Sequence, residues 1–271
     1  MPHASLHDVR LFYTDAGDPG ARAVVFNHGF LMDHTMFDAQ VQALRDEFRC
    51  IRWDQRGFGA SSASGPFSYW DSARDCLALM DLLEVESAVL VGMSQGGFIA
   101  LRAALLAPGR VDGLVLIDTM ARVDPEDVHE KFRDMRAAWT THGPKAVQHD
   151  VANLLISKPE IHEAWFERWA QRPHADIAEP IEALIARDDV SDRLGELDCP
   201  AIVFHGDADP AIPPADGEAL HAALPDSHGL VRVAGAGHAP NLTHPEQVNP
   251  ALVDFLRSVA HRRHGMSGLG R

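Results

Sequence analysis

Cysteine is scarce in this 271-residue chain, which has only Cys50, Cys76 and Cys199. An odd number of widely spaced cysteines does not build a disulfide framework, and none of them forms a C-x-x-C pair. We therefore expect three reduced, buried thiols in a cytoplasmic protein. No group of histidines and cysteines has the spacing of metal ligands along the sequence, so we predict no metal site.

Long apolar segments and basic patches are also missing. Residues 1–13 contain charged side chains and no apolar run, so they do not predict a signal peptide. The longest apolar helical pattern is interrupted by Arg102 and is too short to cross a bilayer. The net charge is −15, which disfavours contact with the phosphates of nucleic acid. The sequence thus predicts a protein that binds neither membranes nor nucleic acid, and it leaves the oligomeric state open.

What is present is an ordinary globular composition, 46% hydrophobic and 23% charged, in which strand and helix patterns alternate. Helical patterns include one with an apolar face from Ala73 to Leu83, for which Asp71 is the predicted N-cap. This alternation is typical of an α/β fold with a doubly wound, mostly parallel sheet. Short apolar runs predict its strands at residues 23–27, 50–53, 87–91, 113–117, 201–204 and 229–233.

One long segment breaks the alternation. Residues 122–195 show helical patterns and no strand, and they contain Trp139, Trp165 and Trp169. A connection between two strands of one sheet does not need this length. We therefore predict a core domain made of residues 1–121 and 196–271, with residues 122–195 forming a helical cap over the sheet.

A G-x-S-x-G sequence spans Gly92 to Gly96 and has Ser94 at its centre. It follows a predicted strand directly and precedes a predicted helix. A sharp turn between strand and helix exposes the serine hydroxyl, and glycines on both sides give the backbone the room to make it. The position of the motif between a strand and a helix, more than the motif itself, makes Ser94 the candidate nucleophile.

A serine nucleophile needs a base, and the base needs an orienting acid. His238 stands out among the sixteen histidines because it follows the last predicted strand, where open α/β sheets place their ligands. Asp207 and Asp209 follow the strand at 201–204, and Asp118 follows the strand at 113–117. From the residues alone, all three aspartates remain candidates for the acid.

The developing negative charge of an acyl-transfer reaction also needs hydrogen-bond donors. The backbone N–H of Gln95, directly after the nucleophile, is the first predicted donor of an oxyanion hole. Gly29 lets the loop after the early strand approach closely, so the N–H of Phe30 is the second.

Several segments together resemble the α/β-hydrolase superfamily, and their order fits it from about residue 10 to residue 260. The resemblance implies an α/β-hydrolase fold with a helical cap insertion. It also implies that the aspartate of the G-x-x-D pattern is the triad acid, which favours Asp209. The matching segments are His28-Gly29, Asp54 to Ser61 (D-x-R-G-x-G-x-S), Gly92 to Gly96, Gly206-x-x-Asp209 and Gly237-His238.

Within this superfamily the chain is most similar to serine esterases, cofactor-free haloperoxidases and 3-oxoadipate enol-lactone hydrolases. That resemblance implies a hydrolase that cleaves a small carboxylic ester or lactone through Ser94, His238 and Asp209, with an acyl-enzyme intermediate and no cofactor. Two alternatives remain: a C–C bond hydrolase acting on a diketone-type substrate, and a hydrolase-fold ligand receptor with little turnover.

Two other classes are disfavoured. A serine at position 94 argues against the haloalkane dehalogenase branch, which resembles this chain but uses aspartate as nucleophile. The Gly57-x-Gly59 segment has Ser62 where a dinucleotide-binding motif has its third glycine.

Overall fold

The computed structural model describes residues 2–6 and 8–267. Within these residues the strands are β1 (His3–Leu6), β2 (Val9–Ala16), β3 (Ala23–Asn27), β4 (Arg49–Trp53), β5 (Ala88–Met93), β6 (Val111–Ile117), β7 (Ala201–Gly206) and β8 (Ser227–Val233). They form one sheet in the order β1-β2-β4-β3-β5-β6-β7-β8. Strands β3 to β8 run parallel to one another, whereas β2 pairs antiparallel with both β1 and β4. The predicted doubly wound, mostly parallel α/β sheet is confirmed.

Helices connect the parallel strands and cover the sheet. They are α1 (Asp38–Leu44), α2 (Tyr69–Leu82), α3 (Gln95–Leu106), α4 (Glu126–His142), α5 (Gln148–Leu155), α6 (His162–Ala170), α7 (Ala178–Ile185), α8 (Pro214–Ala223), α9 (Pro240–Thr243) and α10 (Pro245–Ser267). In the described part of the chain, each helix is too short or too polar to span a membrane.

The six predicted strands all occur, with ends that differ by at most two residues from the prediction. Strands β3 and β5 are buried at every position, as continuous apolar runs predict for the centre of a parallel sheet. Strands β1 and β2 were not predicted. They lie at the edge of the sheet, where one face meets solvent and polar residues interrupt the apolar pattern.

The predicted N-cap of α2 is wrong. Ser68 caps this helix, and its side chain accepts the backbone N–H of Asp71. In return the Asp71 carboxylate accepts the backbone N–H of Ser68 at 2.9 Å. Asp71 is therefore the third helical residue of a capping box, a role more often held by glutamate.

Residues 118–200, all of which the structure describes, contain helices and no strand. We call residues 122–195 the helical insertion; they include α4 to α7 and lie between β6 and β7. Trp139, Trp165 and Trp169 are all buried there. That the insertion forms a separate cap domain stays a prediction.

Candidate active site

The carboxyl ends of the parallel strands bring the predicted site residues to one edge of the sheet. Ser94 follows β5 directly, Asp209 lies in the loop after β7, and His238 lies in the loop after β8. The three residues expose only 7%, 7% and 2% of their surface. This edge is where open α/β sheets bind their ligands.

Ser94 occupies a strained turn between β5 and α3. Its φ is 51° and its ψ is −118°, a conformation that residues other than glycine rarely adopt. Hydrogen bonds from the end of β6 hold the turn: Ser94 N–H donates to the carbonyl oxygen of Ile117, and the Thr119 hydroxyl donates to the carbonyl oxygen of Ser94, each at 2.8 Å. The local structure is that of a nucleophile elbow.

Glycines on both sides of the serine allow the turn to pack against neighbouring backbone. A Cβ atom at Gly92 would lie 2.3 Å from the carbonyl oxygen of Gly96. A Cβ atom at Gly96 would lie 1.9 Å from the carbonyl oxygen of Asn27 on β3. Any other residue at either position would displace backbone, which explains both glycines of the motif.

Ser94, His238 and Asp209 form one chain of hydrogen bonds. Oγ of Ser94 lies 2.9 Å from Nε2 of His238, and Nδ1 of His238 lies 2.8 Å from Oδ2 of Asp209. Because a carboxylate only accepts hydrogen bonds, Nδ1 carries the ring hydrogen and Nε2 is free to accept the serine proton. The arrangement has the geometry of a nucleophile, a base and an orienting acid.

The environment of Asp209 favours its charged form. Burial opposes ionisation, but the attraction of His238 and the hydrogen bonds to the carboxylate outweigh burial and lower the pKa of Asp209. The backbone N–H groups of Ala211 and Ile212 donate to Oδ1 at 2.8 and 3.1 Å. A charged acid is what the imidazole needs when it takes up a proton.

The other two candidate acids lie elsewhere. Asp207 accepts the backbone N–H of Gly235 at 2.8 Å at the protein surface. Asp118 is fully buried, and its Oδ1 accepts the backbone N–H of Gly206 at 2.8 Å. In the described part of the chain, neither aspartate hydrogen-bonds to His238.

The backbone N–H groups of Phe30 and Gln95 make no hydrogen bond within the described residues. Gln95 is the first residue of α3, and such N–H groups have no acceptor inside their own helix. Phe30 lines the same cavity as Ser94 and His238. Buried donors without a partner are rare, so the two groups fit the predicted oxyanion hole.

A buried hydrogen-bond network joins the two segments that carry these donors. The side-chain amide of Gln95 donates to Oε1 of Gln55, whose own amide donates to the carbonyl oxygen of His28 at 2.8 Å. The backbone N–H of Gln55 donates to Nε2 of His28 at 3.0 Å, so Nδ1 carries the ring hydrogen and donates to the carbonyl oxygen of Gly29. Burial lowers the pKa of His28, which keeps the ring neutral. This role of Gln55 was not predicted, because no pattern along the chain reveals the contact.

The loop after β3 is also held from the helical insertion. Nε1 of Trp169, on α6, donates to the carbonyl oxygen of Leu31 at 2.7 Å. Leu31 has a φ of 59°, which is uncommon for a residue with a side chain. The neighbouring Arg168 pairs with Asp33 of the same loop at 2.9 Å. The segment that carries Phe30 is therefore fixed by α6 as well as by the sheet.

A cavity of about 560 Å³ opens onto Ser94 and His238. Its volume is typical of small-molecule sites. Both the core and the helical insertion contribute apolar side chains to its wall, among them Phe30, Phe98, Met120 and Ile212 from the core and Val128, Phe132, Met135, Val151, Leu154 and Leu155 from the insertion.

Few charged side chains reach this cavity, and most of them are acidic. Asp134 and Asp150 contribute carboxylates to the lining. The carboxylate of Asp124 is paired with the buried guanidinium of Arg187 at 2.9 Å. Lys131 is exposed and pairs with an acidic neighbour one turn earlier on α4. Among the described residues that line the cavity, no unpaired lysine or arginine is present to receive an anionic substrate.

Among the residues that the structure describes, two groups of side chains bring His and Asp atoms within 4.8 Å of one another, as metal ligands would be. The first is Asp33, His34 and Asp54, in which Nδ1 of His34 lies 2.7 Å from Oδ1 of Asp54. The second contains Asp209, which already receives the ring hydrogen of His238. Each group thus has a carboxylate oxygen that already accepts a hydrogen bond from a histidine ring, and the expected absence of a metal site stays a prediction.

The chain matches known proteins over most of its length. Residues 22–147 match the family model for the alpha/beta hydrolase fold. The putative non-heme chloroperoxidase of Synechocystis sp. is 30% identical over 270 residues, which cover 92% of this chain and 95% of that protein. The 3-oxoadipate enol-lactonase 1 of Acinetobacter baylyi is 26% identical over 259 residues, which cover 90% of this chain and 91% of the lactonase.

Solved structures show the same likeness. A thermophilic esterase from Thermogutta terrifontis has a TM-score of 0.85 and 32% identity, with 93% of this chain and 94% of the esterase covered. The chain therefore belongs to the α/β hydrolase fold family, as its motifs predicted. The esterase and the lactonase among its relatives support ester or lactone hydrolysis.

Proposed function

We propose that this chain is a serine hydrolase that cleaves an uncharged carboxylic ester or lactone through an acyl-enzyme intermediate. The observation that carries the proposal is the chain of hydrogen bonds from Ser94 through His238 to Asp209, at the floor of an apolar cavity. A protein that only binds a ligand has no need of a nucleophile, a base and an acid in this order.

In the proposed reaction, Oγ of Ser94 attacks the acyl carbon while Nε2 of His238 takes its proton. Asp209 holds the imidazole in the correct tautomer and stabilises the imidazolium. The N–H groups of Phe30 and Gln95 bind the oxyanion, and His238 then protonates the leaving alkoxide. His238 then takes a proton from a water molecule, which attacks the acyl carbon. As the bond from the acyl carbon to Oγ of Ser94 breaks, His238 returns the proton to Oγ.

The cavity supports the choice of an uncharged substrate. Its apolar wall offers dispersion contacts and excludes water. The one lysine of the described lining, Lys131, is exposed and pairs with Asp127, so an ionised carboxylate buried in the cavity would meet no unpaired cation. The helical insertion supplies a large share of this wall, with side chains such as Phe132, Met135 and Leu155. We therefore propose that the insertion acts as the cap that selects the acyl group.

The test is hydrolysis of p-nitrophenyl butyrate and of simple lactones by the purified protein and by Ser94→Ala. We expect turnover by the wild-type protein and a loss of about 10⁴–10⁶-fold in kcat for the variant, with unchanged circular dichroism. A fluorophosphonate probe should label the wild-type protein and not the variant. Near-normal activity of Ser94→Ala would contradict the proposed mechanism. Ligand-induced thermal stabilisation with no turnover of any ester or lactone would favour a receptor.

A further inference from the structure

A second buried carboxyl group lies behind the acid of the proposed triad. Asp118 is the first residue after β6, is 0% exposed and has a φ of 41°. One of its oxygens, Oδ1, accepts the backbone N–H of Gly206. The other, Oδ2, is buried and has no hydrogen-bond partner among the described residues. The carboxyl groups of Asp118 and Asp209 lie within 4.8 Å of each other.

The groups around this pair offer little positive charge. Nε2 of His205, on β7, lies 3.4 Å from Asp118 Oδ1 and 3.5 Å from Asp209 Oδ2. This nitrogen also lies 2.9 Å from the carbonyl oxygen of Ile212, so it carries the ring hydrogen and Nδ1 does not. Burial lowers the pKa of His205, which keeps the ring neutral.

The other titratable groups near the two aspartates already have partners. His238 contacts Asp209, and Asp216 on α8 is paired with Arg122. Among the described residues, no lysine or arginine forms an ion pair with Asp118 or Asp209. Two adjacent buried carboxylates without a cation between them do not both ionise, so the pair retains a proton.

The hydrogen bonds decide which aspartate holds that proton. Asp209 accepts from His238, Ala211 and Ile212, and all of these bonds favour its charged form. Within the described residues, the one hydrogen bond that Asp118 accepts comes from the backbone N–H of Gly206. Burial and the nearby charge of Asp209 raise the pKa of Asp118 well above its ordinary value.

We propose, on the basis of the proposed serine-hydrolase function, that Asp118 is a positioning residue that stays protonated at neutral pH and donates a hydrogen bond from Oδ2 to the Asp209 carboxylate. The donated bond gives the otherwise unpartnered Oδ2 a partner. It also fixes the orientation in which Asp209 faces His238, without adding a charge to the site.

The kinetic test compares Asp118→Asn with Asp118→Ala over a range of pH. Asparagine keeps the two hydrogen bonds, because its carbonyl oxygen accepts from Gly206 and its amide donates to Asp209. Alanine removes both. We expect Asp118→Ala to lower kcat about tenfold with little change in KM, and Asp118→Asn to restore most of that loss.

The pH profile separates a neutral Asp118 from a charged one. If Asp118 is neutral, Asp118→Asn leaves the acid limb of the kcat/KM profile in place, since no charge has been removed. If Asp118 is ionised, the same substitution removes a negative charge near His238 and shifts the acid limb to lower pH, which would overturn the proposal. Equal kcat for Asp118→Ala and the wild-type protein would overturn it as well.

Infrared spectroscopy tests the proton without relying on turnover. At neutral pH the wild-type protein should show the carbonyl stretch of a buried protonated carboxylic acid, and Asp118→Asn should lack it. Identical spectra of the two proteins would contradict a protonated Asp118. Because this readout needs no substrate, it fails or succeeds independently of the Ser94→Ala experiment, which alone decides the proposed function.

Discussion

The edge of the sheet and the helical insertion that faces it are stabilised in different ways. At the edge, polar side chains are buried and joined by directional hydrogen bonds, as between Ser94, His238 and Asp209. In the insertion, α4 buries only Trp139, and its polar side chains form ion pairs at the surface, such as Glu126 with Arg133. The edge therefore carries the proposed reacting groups, whereas the insertion contributes much of the apolar wall of the cavity.

The sharpest test of the edge is Asp209→Asn, with Asp207→Asn as its control. An asparagine amide offers His238 the wrong hydrogen-bond group, so the imidazole loses the tautomer that accepts the serine proton. We expect kcat to fall about 10⁴-fold. Asp207 lies two residues earlier and accepts the N–H of Gly235 at the surface, away from His238. Its variant should therefore stay within about twofold of the wild-type rate. Comparable losses of kcat in both variants would mean that the substitutions disturb the loop after β7, and that the carboxylate of Asp209 has no special role.

A pair of esters that differ only in charge tests whether the cavity lined by the insertion selects an uncharged substrate. Dimethyl adipate and monomethyl adipate present the same ester, but the half-ester carries a carboxylate at neutral pH. Burial of that charge without a partner costs about 3 kcal/mol or more, so we expect kcat/KM for the diester to be at least about 100-fold higher.

Leu154, at the rim of the cavity and 37% exposed, offers a matched pair of variants for this test. Leu154→Arg should raise activity on the half-ester selectively, because it supplies a cation, whereas Leu154→Gln should not. Equal rates for the two adipate esters in the wild-type protein would show that the cavity does not select against charge.

A smaller loss of kcat is expected from a substitution at Trp169, where the helical insertion contacts the loop after β3. Trp169→Phe keeps most of the buried ring but removes the hydrogen bond to the carbonyl oxygen of Leu31. One such bond contributes about 1–1.5 kcal/mol, so we expect kcat to fall about tenfold while KM changes little. Trp165→Phe, on the same helix, is the control and should retain more activity. A change confined to KM would indicate that Trp169 shapes the cavity and does not position the Phe30 N–H.

The smallest expected effect is a pH dependence of the stability of the folded protein, caused by the raised pKa of Asp118. Its pKa is raised in the folded protein, so above about pH 4 the unfolded chain releases a proton that the folded chain keeps. This difference lowers wild-type stability as pH rises, whereas an asparagine side chain at this position titrates in neither state.

Thermal unfolding between pH 4 and pH 8 should therefore show a gain in Tm for the Asp118→Asn variant that grows with pH. The shift should be about 2–4 °C for each kcal/mol. A difference in Tm that does not depend on pH would contradict the raised pKa.

Sequence patterns singled out the proposed nucleophile and the proposed base because each depends on local order. Ser94 stands between a buried strand and a helix, and His238 follows the last strand. The choice among Asp118, Asp207 and Asp209 was different. All three follow strands that end at the same edge, so the residues alone left them equivalent, and only the family resemblance favoured Asp209.

Contacts between distant segments could not be predicted. Gln55 joins the two segments that carry the unpaired N–H groups, and Trp169 fixes Leu31 from a helix more than a hundred residues away. Neither role changes the hydrophobic periodicity that sequence analysis measures. Strands β1 and β2, at one end of the sheet, were not predicted because one of their faces meets solvent and polar residues interrupt the apolar pattern.

The backbone at Ser94 also restricts which nucleophile this fold can carry. With φ at 51°, a side chain branched at Cβ would clash with the turn, so threonine is unsuitable although it offers the same hydroxyl. Cysteine and aspartate are unbranched at that atom and can occupy the position with the elbow intact. A single substitution therefore separates the present site from one with thiolate or carboxylate chemistry, whereas threonine would strain the turn.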